Sequence, residues 1–291
     1  MRKRKNCFVT IDFEDWPTIP YLQKYHFKKN EFASFCDDRS LRPFFQKLAD
    51  EGVSATVFVV GSIAENNADL LKYILKQGNL IGCHSLNHDN LKNMTTQSFL
   101  VSTQRAKETI EKVIGTPVYC YRAPFFSANK EKILSLNKLG FTIDSSYIDS
   151  QSNPYYEKND FSDWHGDPNG FLRNDCTDLK ELEIPCLSFF GRNIPIGGGG
   201  FFRLYPFFLY KILVRKYLSK HDSFVFFLHP YEINYHKFEG IKRMKMKDKF
   251  RFDFGRKNAQ KKFWKLIRYL KKQGFTFNNP SFYLSKRDFE Q

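Results

Sequence analysis

The sequence predicts an α/β fold in which parallel strands and helices alternate around one barrel, and three observations carry that expectation. Short β-branched and aromatic runs alternate with longer segments whose apolar residues recur every three or four positions, the pattern of successive βα units. A length of 291 residues suits a single barrel as well as two average domains. Five of the strand-like runs end in a polar, chemically capable residue, as expected where strand ends converge over one pocket.

Taken in order, the strands are expected at residues 7–12, 54–61, 79–84, 118–122, 141–144, 181–185 and 224–229. Helical periodicity covers 39–50, 64–77, 96–114, 128–139, 205–219 and 257–273. The polar strand ends are Asp12 to Asp15, His84, Arg122, Asp144 and His229. Residues 145–200 are the least regular stretch: their Asn, Asp, Pro and Gly content, the run Trp164-His165-Gly166-Asp167-Pro168-Asn169-Gly170 and the four glycines 197–200 predict long loops over one face. With no linker-like composition break and no internal repeat, 1–291 is expected to form one domain carrying a basic C-terminal segment, 237–291.

Hydrophobic residues make up 42% of the chain and aromatics 17%, with 32 Phe, which is ample for a buried core and excludes a disordered chain. The net charge of +15 is uneven: residues 237–272 hold 15 Lys/Arg against Glu239, Asp248 and Asp253, so 15 − 3 gives +12 in that stretch alone. Such a balance favours anionic partners, among them acidic glycans and an anionic membrane surface, although a solvated loop and helix is the plainer account. No specific nucleic-acid partner is expected, since a basic stretch alone binds phosphates without base preference. The six cysteines contain no CxxC pair, and Cys7, Cys83 and Cys120 lie in apolar runs as small buried hydrophobes do. The basic start is followed by an apolar run cut short at Asp12, Glu14 and Asp15, which predicts neither an export signal nor a membrane span. Together these predict a reducing, cytoplasmic compartment, peripheral to a membrane at most.

Two short segments carry chemistry. His84-Ser-Leu-Asn-His88 places two imidazoles four residues apart, able to face one divalent cation. Thr10-Ile-Asp-Phe-Glu-Asp-Trp-Pro crowds three carboxylates into four positions at a strand end, where a cation would offset their repulsion. One carboxylate can ligate while another stays free as a base.

These segments resemble the successive motifs of the polysaccharide deacetylase (NodB homology, carbohydrate esterase 4-like) family, in the family's order over nearly the whole chain. The acidic segment is similar to the first motif, Ala55-Thr-Val-Phe-Val-Val-Gly to the structural strand after it, and His84 to His88 to the second motif with its two histidine ligands. Tyr121-Arg122-Ala123-Pro124 resembles the third, Phe141-Thr-Ile-Asp144-Ser145-Ser146 a groove wall, and Leu228-His229-Pro230 the last. Asp-x-Glu-Asp-Trp, His-Pro-Tyr-Glu and Gly197 to Pro206 are similar to a subgroup linked to exopolysaccharide loci.

The resemblance implies a distorted (β/α) barrel of the NodB type with seven or eight parallel strands. It implies one divalent metal ion, zinc first, with cobalt, nickel or iron able to occupy the same ligands. Asp12 is expected as base, Asp15, His84 and His88 as ligands, Arg122 as the group holding the base and His229 as the acid. Glu14 can replace Asp12 or Asp15 in either role, because relatives carry both adjacent-acid and Asp-x-Asp versions. Trp16, Pro124, Tyr147 and Arg203 are expected at the substrate, Trp16 and Tyr147 by stacking on a sugar face. The implied activity removes N-acetyl or O-acetyl groups from a cell-surface or exopolysaccharide glycan or its precursor. Hydrolysis of a small cyclic amide or ureide, or glycan binding without catalysis, are the competing expectations.

Overall fold

Strand β1 (Lys5–Phe13) sets the frame because its two faces have different destinations. In the computed structural model, which describes residues 5–27, 34–236 and 239–283, Cys7, Val9, Ile11 and Phe13 pack into a large cluster shared with the helices. Phe8 instead joins an inner cluster with Phe58, Val225 and Phe227. Successive side chains of a strand take opposite faces, so Thr10 and Asp12 follow Phe8 inward.

In chain order the other strands are β2 (Ala55–Val59), β3 (Leu80–Cys83), β4 (Cys120–Tyr121), β5 (Ile143–Asp144), β6 (His165–Gly166), β7 (Leu172–Arg173), β8 (Lys180–Glu181), β9 (Cys186–Phe189), β10 (Arg192–Pro195), β11 (Ser223–Leu228) and β12 (Phe275–Thr276). The main sheet runs β11-β1-β2-β3-β4-β5-β8 with every neighbour parallel, and β12 pairs in parallel with β1. Val9 sits in register between Phe226 and Ala55, which buries it on both sides. Segment 196–198 closes the ring: Ile196 N donates to Pro185 O at 2.8 Å and Phe227 N donates to Gly197 O at 2.7 Å. Gly198 has φ 145°, and a Cβ there would lie 2.0 Å from the Phe227 carbonyl oxygen, so this closure requires glycine. The result is a distorted α/β barrel whose closing seam is a bridge rather than a full strand.

The helices form where their periodicity predicts. Helix Thr96–Ile114 starts at Thr95, whose hydroxyl accepts from Ser98 N, and stops at Gly115 in the left-handed region; Phe99, Thr103, Ala106, Ile110 and Ile114 are its buried stripe. Helix Ala259–Lys272 buries Phe263, Trp264, Leu266, Ile267 and Leu270, so the basic C-terminal stretch belongs to the packed outer layer as far as residue 283. Residues 145–200 differ from the loops expected there. They include β7, added antiparallel to β8, and β6, antiparallel to β7, and the β9-β10 hairpin, whose turn at Gly191 has φ 75°.

Candidate active site

Asp12 and Arg122 reach each other from opposite sides of the barrel interior. Arg122 is fully buried; its Nη1 donates to Asp12 Oδ1 at 2.7 Å and to Thr10 Oγ1 at 2.8 Å, its Nη2 to Ser145 Oγ at 2.7 Å and its Nε to Ser145 O at 3.0 Å. The guanidinium also lies 4.4 Å over the Phe58 ring. Burial pushes the Asp12 carboxyl upward, but Arg122, His84 and His229 outweigh it and hold the group below its ordinary value. A buried carboxylate kept ionised by a charged hydrogen-bond donor is suited to accept a proton.

Below this pair a second network fixes the strand ends. Ala123 N donates to Ser146 Oγ, which donates to Asp144 Oδ1 at 2.7 Å, and Tyr147 N donates to Glu181 Oε1 at 3.0 Å. Asp144 and Glu181 are register partners on β5 and β8. Burial first, and for Glu181 the neighbouring Asp144, raise both carboxyls, so one proton is shared between them.

The two imidazoles hang from a strained turn. Ser85 and His88 both have positive φ, 64° and 61°, and Ser85 Oγ accepts from His88 N at 2.9 Å. His84 Nδ1 stands 2.8 Å from Arg122 O and His88 Nδ1 3.0 Å from Thr18 O. A carbonyl can only accept, so each Nδ1 carries a proton and each Nε2 is the atom left for a ligand. Burial, then His88, draws His84 down to about 4, in favour of the neutral form.

Glu14 completes this group. Its Oε2 is 2.7 Å from His88 Nε2, with both side chains about 5% exposed, and it meets no hydrogen-bond donor. Two acceptors facing each other when buried need a proton or a cation between them. Burial would raise Glu14, and only positive charge on the imidazoles around it holds it low, a charge that a bound cation would supply in place of a proton. The donor set of one carboxylate and two backed imidazoles fits a divalent transition metal. At 2.7 Å, Glu14 and His88 touch each other instead of surrounding a point, and among the described residues no three ligand side chains stand ready-formed around an ion.

Asp15 departs from the expected ligand set. Its Oδ1 accepts from Trp16 N and Phe35 N, each at 2.8 Å, and its Oδ2 accepts from Ser34 Oγ at 2.6 Å. The reason is the strand alternation: Asp12 and then Glu14 turn inward, whereas Asp15 leaves on the other side and caps the next turn.

His229 faces the same cleft from the end of β11. Its Nε2 lies 3.9 Å from Asp12 Oδ2 and 3.8 Å from Glu14 Oε1. Its Nδ1 donates to Glu232 Oε2 at 2.9 Å, and Glu232 Oε1 is 2.7 Å from Arg203 Nε. Burial opposes protonation of His229, but Glu232, Glu14 and Asp12 prevail and raise it to about 9. The Arg203–Glu232–His229 chain therefore orients a protonated imidazole at the cleft.

The cleft is about 540 Å³, lined by Asp12, Glu14, His84, His88 and His229 on its floor and by Phe125, Tyr156 and Gly198 to Gly200 on its walls. Of the expected substrate residues, only Arg203 is among its lining, and its guanidinium is spent inside the protein, on Glu232 and on the carbonyls of Arg251, Phe252 and Phe254. Pro124 is buried and starts the turn that presents Phe125, whose ring meets His88 at 4.5 Å. Tyr147 packs against Phe161 with ring centroids 4.3 Å apart, Phe161 in turn meets the buried Trp164, and Trp16 packs on the Ile19, Leu22 and Phe35 cluster. Sequence reading assigned no role to Glu232 or Phe125. For Glu232 a signal existed, a carboxylate three residues after a strand-end histidine and proline, the spacing of a capping box; for Phe125 there was none beyond its place after Arg122.

Comparison with known proteins agrees with this assembly. Residues 30–143 match the family described as polysaccharide deacetylase, and residues 155–280 match a domain of unknown function, DUF3473. The chain is related to the polysaccharide deacetylases. His84, His88 and Arg122 lie in the first matched segment, Arg203, His229 and Glu232 in the second, and Asp12 and Glu14 precede both. A peptidoglycan-N-acetylglucosamine deacetylase of Bacillus cereus is 24% identical over 149 residues, 48% of this chain and 54% of that protein. An uncharacterized protein, YlxY, of Bacillus subtilis is 35% identical over 91 residues, 31% of this chain and 28% of that one. The chain thus spans about half or less of these relatives. Among solved structures, a protein of Mycobacterium smegmatis assigned as a polysaccharide deacetylase superposes with a TM-score of 0.62 at 16% identity, covering 97% of this chain and 90% of that one. A CE4 family pseudoenzyme from Bacillus anthracis gives 0.52 at 14% identity, covering 97% and 66%. The fold is therefore the polysaccharide deacetylase barrel, and because it also houses a pseudoenzyme, activity has to be argued from the side chains.

Proposed function

We propose that this chain is a metal-dependent hydrolase that removes an acetyl group, N-linked or O-linked, from a sugar of a cell-surface or exopolysaccharide glycan or its precursor. One observation carries the reading: His229 Nε2 lies within 4 Å of Asp12 and Glu14, in one cleft with two imidazoles whose Nδ1 atoms face backbone carbonyls and whose Nε2 atoms are thereby left for a ligand. Glu14, His84 and His88 would hold the ion, zinc first. When bound, the cation would supply Lewis acidity, polarising the acyl carbonyl and acidifying a water.

The remaining chemistry belongs to the protein. Asp12, kept charged by Arg122, takes the proton of the attacking water, whose oxygen bonds to the acyl carbon. Cleavage of the C–N bond leaves an amine that His229 protonates through Nε2, while Glu232 keeps the imidazolium oriented, and acetate departs. The partial likeness to a peptidoglycan-N-acetylglucosamine deacetylase supports a carbohydrate substrate over a cyclic amide. The test is acetate release from N-acetylated and O-acetylated oligosaccharides by protein loaded with zinc, cobalt, nickel or iron, beside ring opening of cyclic amides. Acetate release abolished by Asp12→Asn is expected. Ring opening without acetate release, or no turnover with any of the four metals, would remove the proposal.

A further inference from the structure

Helix Phe207–Leu218 carries more apolar surface than its packing uses. Tyr210, Val214 and Tyr217 are its buried stripe, yet Phe208, Leu209 and Ile212 are 62%, 40% and 57% exposed. Lys211, Arg215 and Lys216 are exposed among them, and residues 197–221 contain no Asp or Glu at all. A solvated helix face normally mixes both charges and few large apolar groups.

A second element repeats this composition. On helix Met246–Asp253 and just beyond it, Met246, Phe250 and Phe254 are 77%, 56% and 45% exposed, with Phe250 and Phe254 rings 4.7 Å apart. Exposed Lys245, Lys247 and Arg251 stand beside them. The acids of this segment are turned to other tasks: Asp248 is buried against Lys24 and the Tyr25 hydroxyl, and Asp253 pairs with Arg256. The second of these segments and the short helix Gly199–Leu204, which leads into the first, meet at the cleft. Leu204, Lys247, Phe250 and Phe254 form part of its lining, and Gly255 packs so closely on the Arg203 backbone that a Cβ there would stand 2.6 Å from the Arg203 carbonyl oxygen.

Charge decides what can cover such a face. A second copy of the chain would set lysine and arginine against lysine and arginine, which costs energy at every close pair. An anionic bilayer meets both demands at once: aromatic and aliphatic side chains enter the boundary between headgroups and acyl chains, and the cations lie among the lipid phosphates. Helix Phe207–Leu218, with 12 residues, is too short to span a membrane but long enough to lie in its interface. We infer that this face docks on an anionic lipid surface, with the cleft mouth turned toward the membrane to receive a glycan held there.

Flotation with vesicles tests the inference without any substrate, so it stands or falls separately from the deacetylase reading. The full chain is mixed with phosphatidylcholine vesicles and with vesicles that also contain phosphatidylglycerol. Binding to the anionic vesicles alone, weakened by salt, is expected. Each near-surface cation contributes roughly fivefold in partitioning, so Lys211→Glu, Arg215→Glu and Lys216→Glu together should lower it by at least ~100-fold. Phe208→Ser with Ile212→Ser, and separately Phe250→Ser with Phe254→Ser, should each lower it at least ~10-fold, whereas Val101→Ser, on another face, should leave it unchanged. Circular dichroism and melting confirm that each variant is folded, and the two apolar pairs serve as independent versions of the test. Equal binding to both vesicle types, no binding to either, apolar variants that float like wild type, or a dimer in sedimentation that Phe208→Ser with Ile212→Ser dissolves would each overturn the inference.

Discussion

Replacing Asp15 and Glu14 in turn separates two neighbouring carboxylates by what each touches. Asp15 accepts three hydrogen bonds, from Trp16 N, Phe35 N and Ser34 Oγ, and has no contact with either imidazole. At about 1 kcal/mol for each bond, Asp15→Ala should cost about 3 kcal/mol of stability. For a chain of this size, with ~2 °C per kcal/mol, the melting temperature should fall by about 6 °C. Metal affinity and acetate release below the transition should stay within about threefold of wild type, since nothing at the cleft floor has moved. Glu14→Gln predicts the opposite. The amide can donate to His88 Nε2, which relieves the facing acceptors 2.7 Å apart, so the metal-free protein should melt no lower than wild type. Outer-shell partners of metal ligands are worth ~10–100-fold in affinity, so loss of a direct carboxylate ligand should weaken zinc binding at least ~100-fold and remove activity with it. Calorimetric zinc titration, thermal melting and acetate release on both variants decide the matter. Glu14→Gln that binds zinc normally, or a folded Asp15→Ala that binds none, would refute the assignment of Glu14 as ligand and Asp15 as cap.

Three further predictions follow from buried groups. The raised His229, at about 9, contributes stability that is fully present below its ordinary 6.5 and is lost as pH rises through 9; in metal-free Glu232→Gln, nitrogen-detected NMR titration should place His229 well below the wild-type value, and an unchanged midpoint would break the Glu232 link. The shared proton of Asp144 and Glu181 gives the opposite partner types but the same sign, since a carboxyl raised by folding stabilises at low pH and loses that stability as pH climbs through its folded value. Glu181→Gln still donates to Asp144 and accepts from Tyr147 N, so urea denaturation should show a flatter decline of stability above about pH 5 than wild type; an identical slope counts against the pair. Arg122→Met leaves Asp12 buried without its partner and should cost about 3–5 kcal/mol, and Arg122→Lys should recover only part of that, because one ammonium cannot reproduce the forked bonds to Thr10, Asp12 and Ser145. Equal stability of the lysine variant and wild type, measured by urea denaturation, would contradict the geometric argument.

Much of this protein is determined by sequence alone because the signals are local. Alternating apolar runs and helical stripes mark the βα units, Thr95 and Gly115 mark the ends of a helix, and strand-end Asp12, His84, Arg122 and His229 mark side chains that come together around one cleft. Strand alternation even holds the reason why Glu14 turns inward and Asp15 outward, although a strand end that twists or bulges leaves that choice open until the turn is seen. Other assignments depend on contacts between residues far apart in the chain. Arg203 meets Glu232 across 29 residues and Arg251 to Phe254 across nearly 50, which makes it a support for His229 instead of a sugar contact. Tyr147 and Trp16 could have faced a sugar from their types alone, and only packing shows them turned onto Phe161 and onto the Ile19 cluster. The Nε2 atoms of His84 and His88 are aimed by carbonyls of Arg122 and Thr18, and the place of Phe250 and Phe254 beside Leu204 in the cleft lining exists only once distant segments are brought together. Periodicity and residue type act within a few residues of chain, whereas tautomer, ion pairing and burial are set by whatever the folded chain brings alongside.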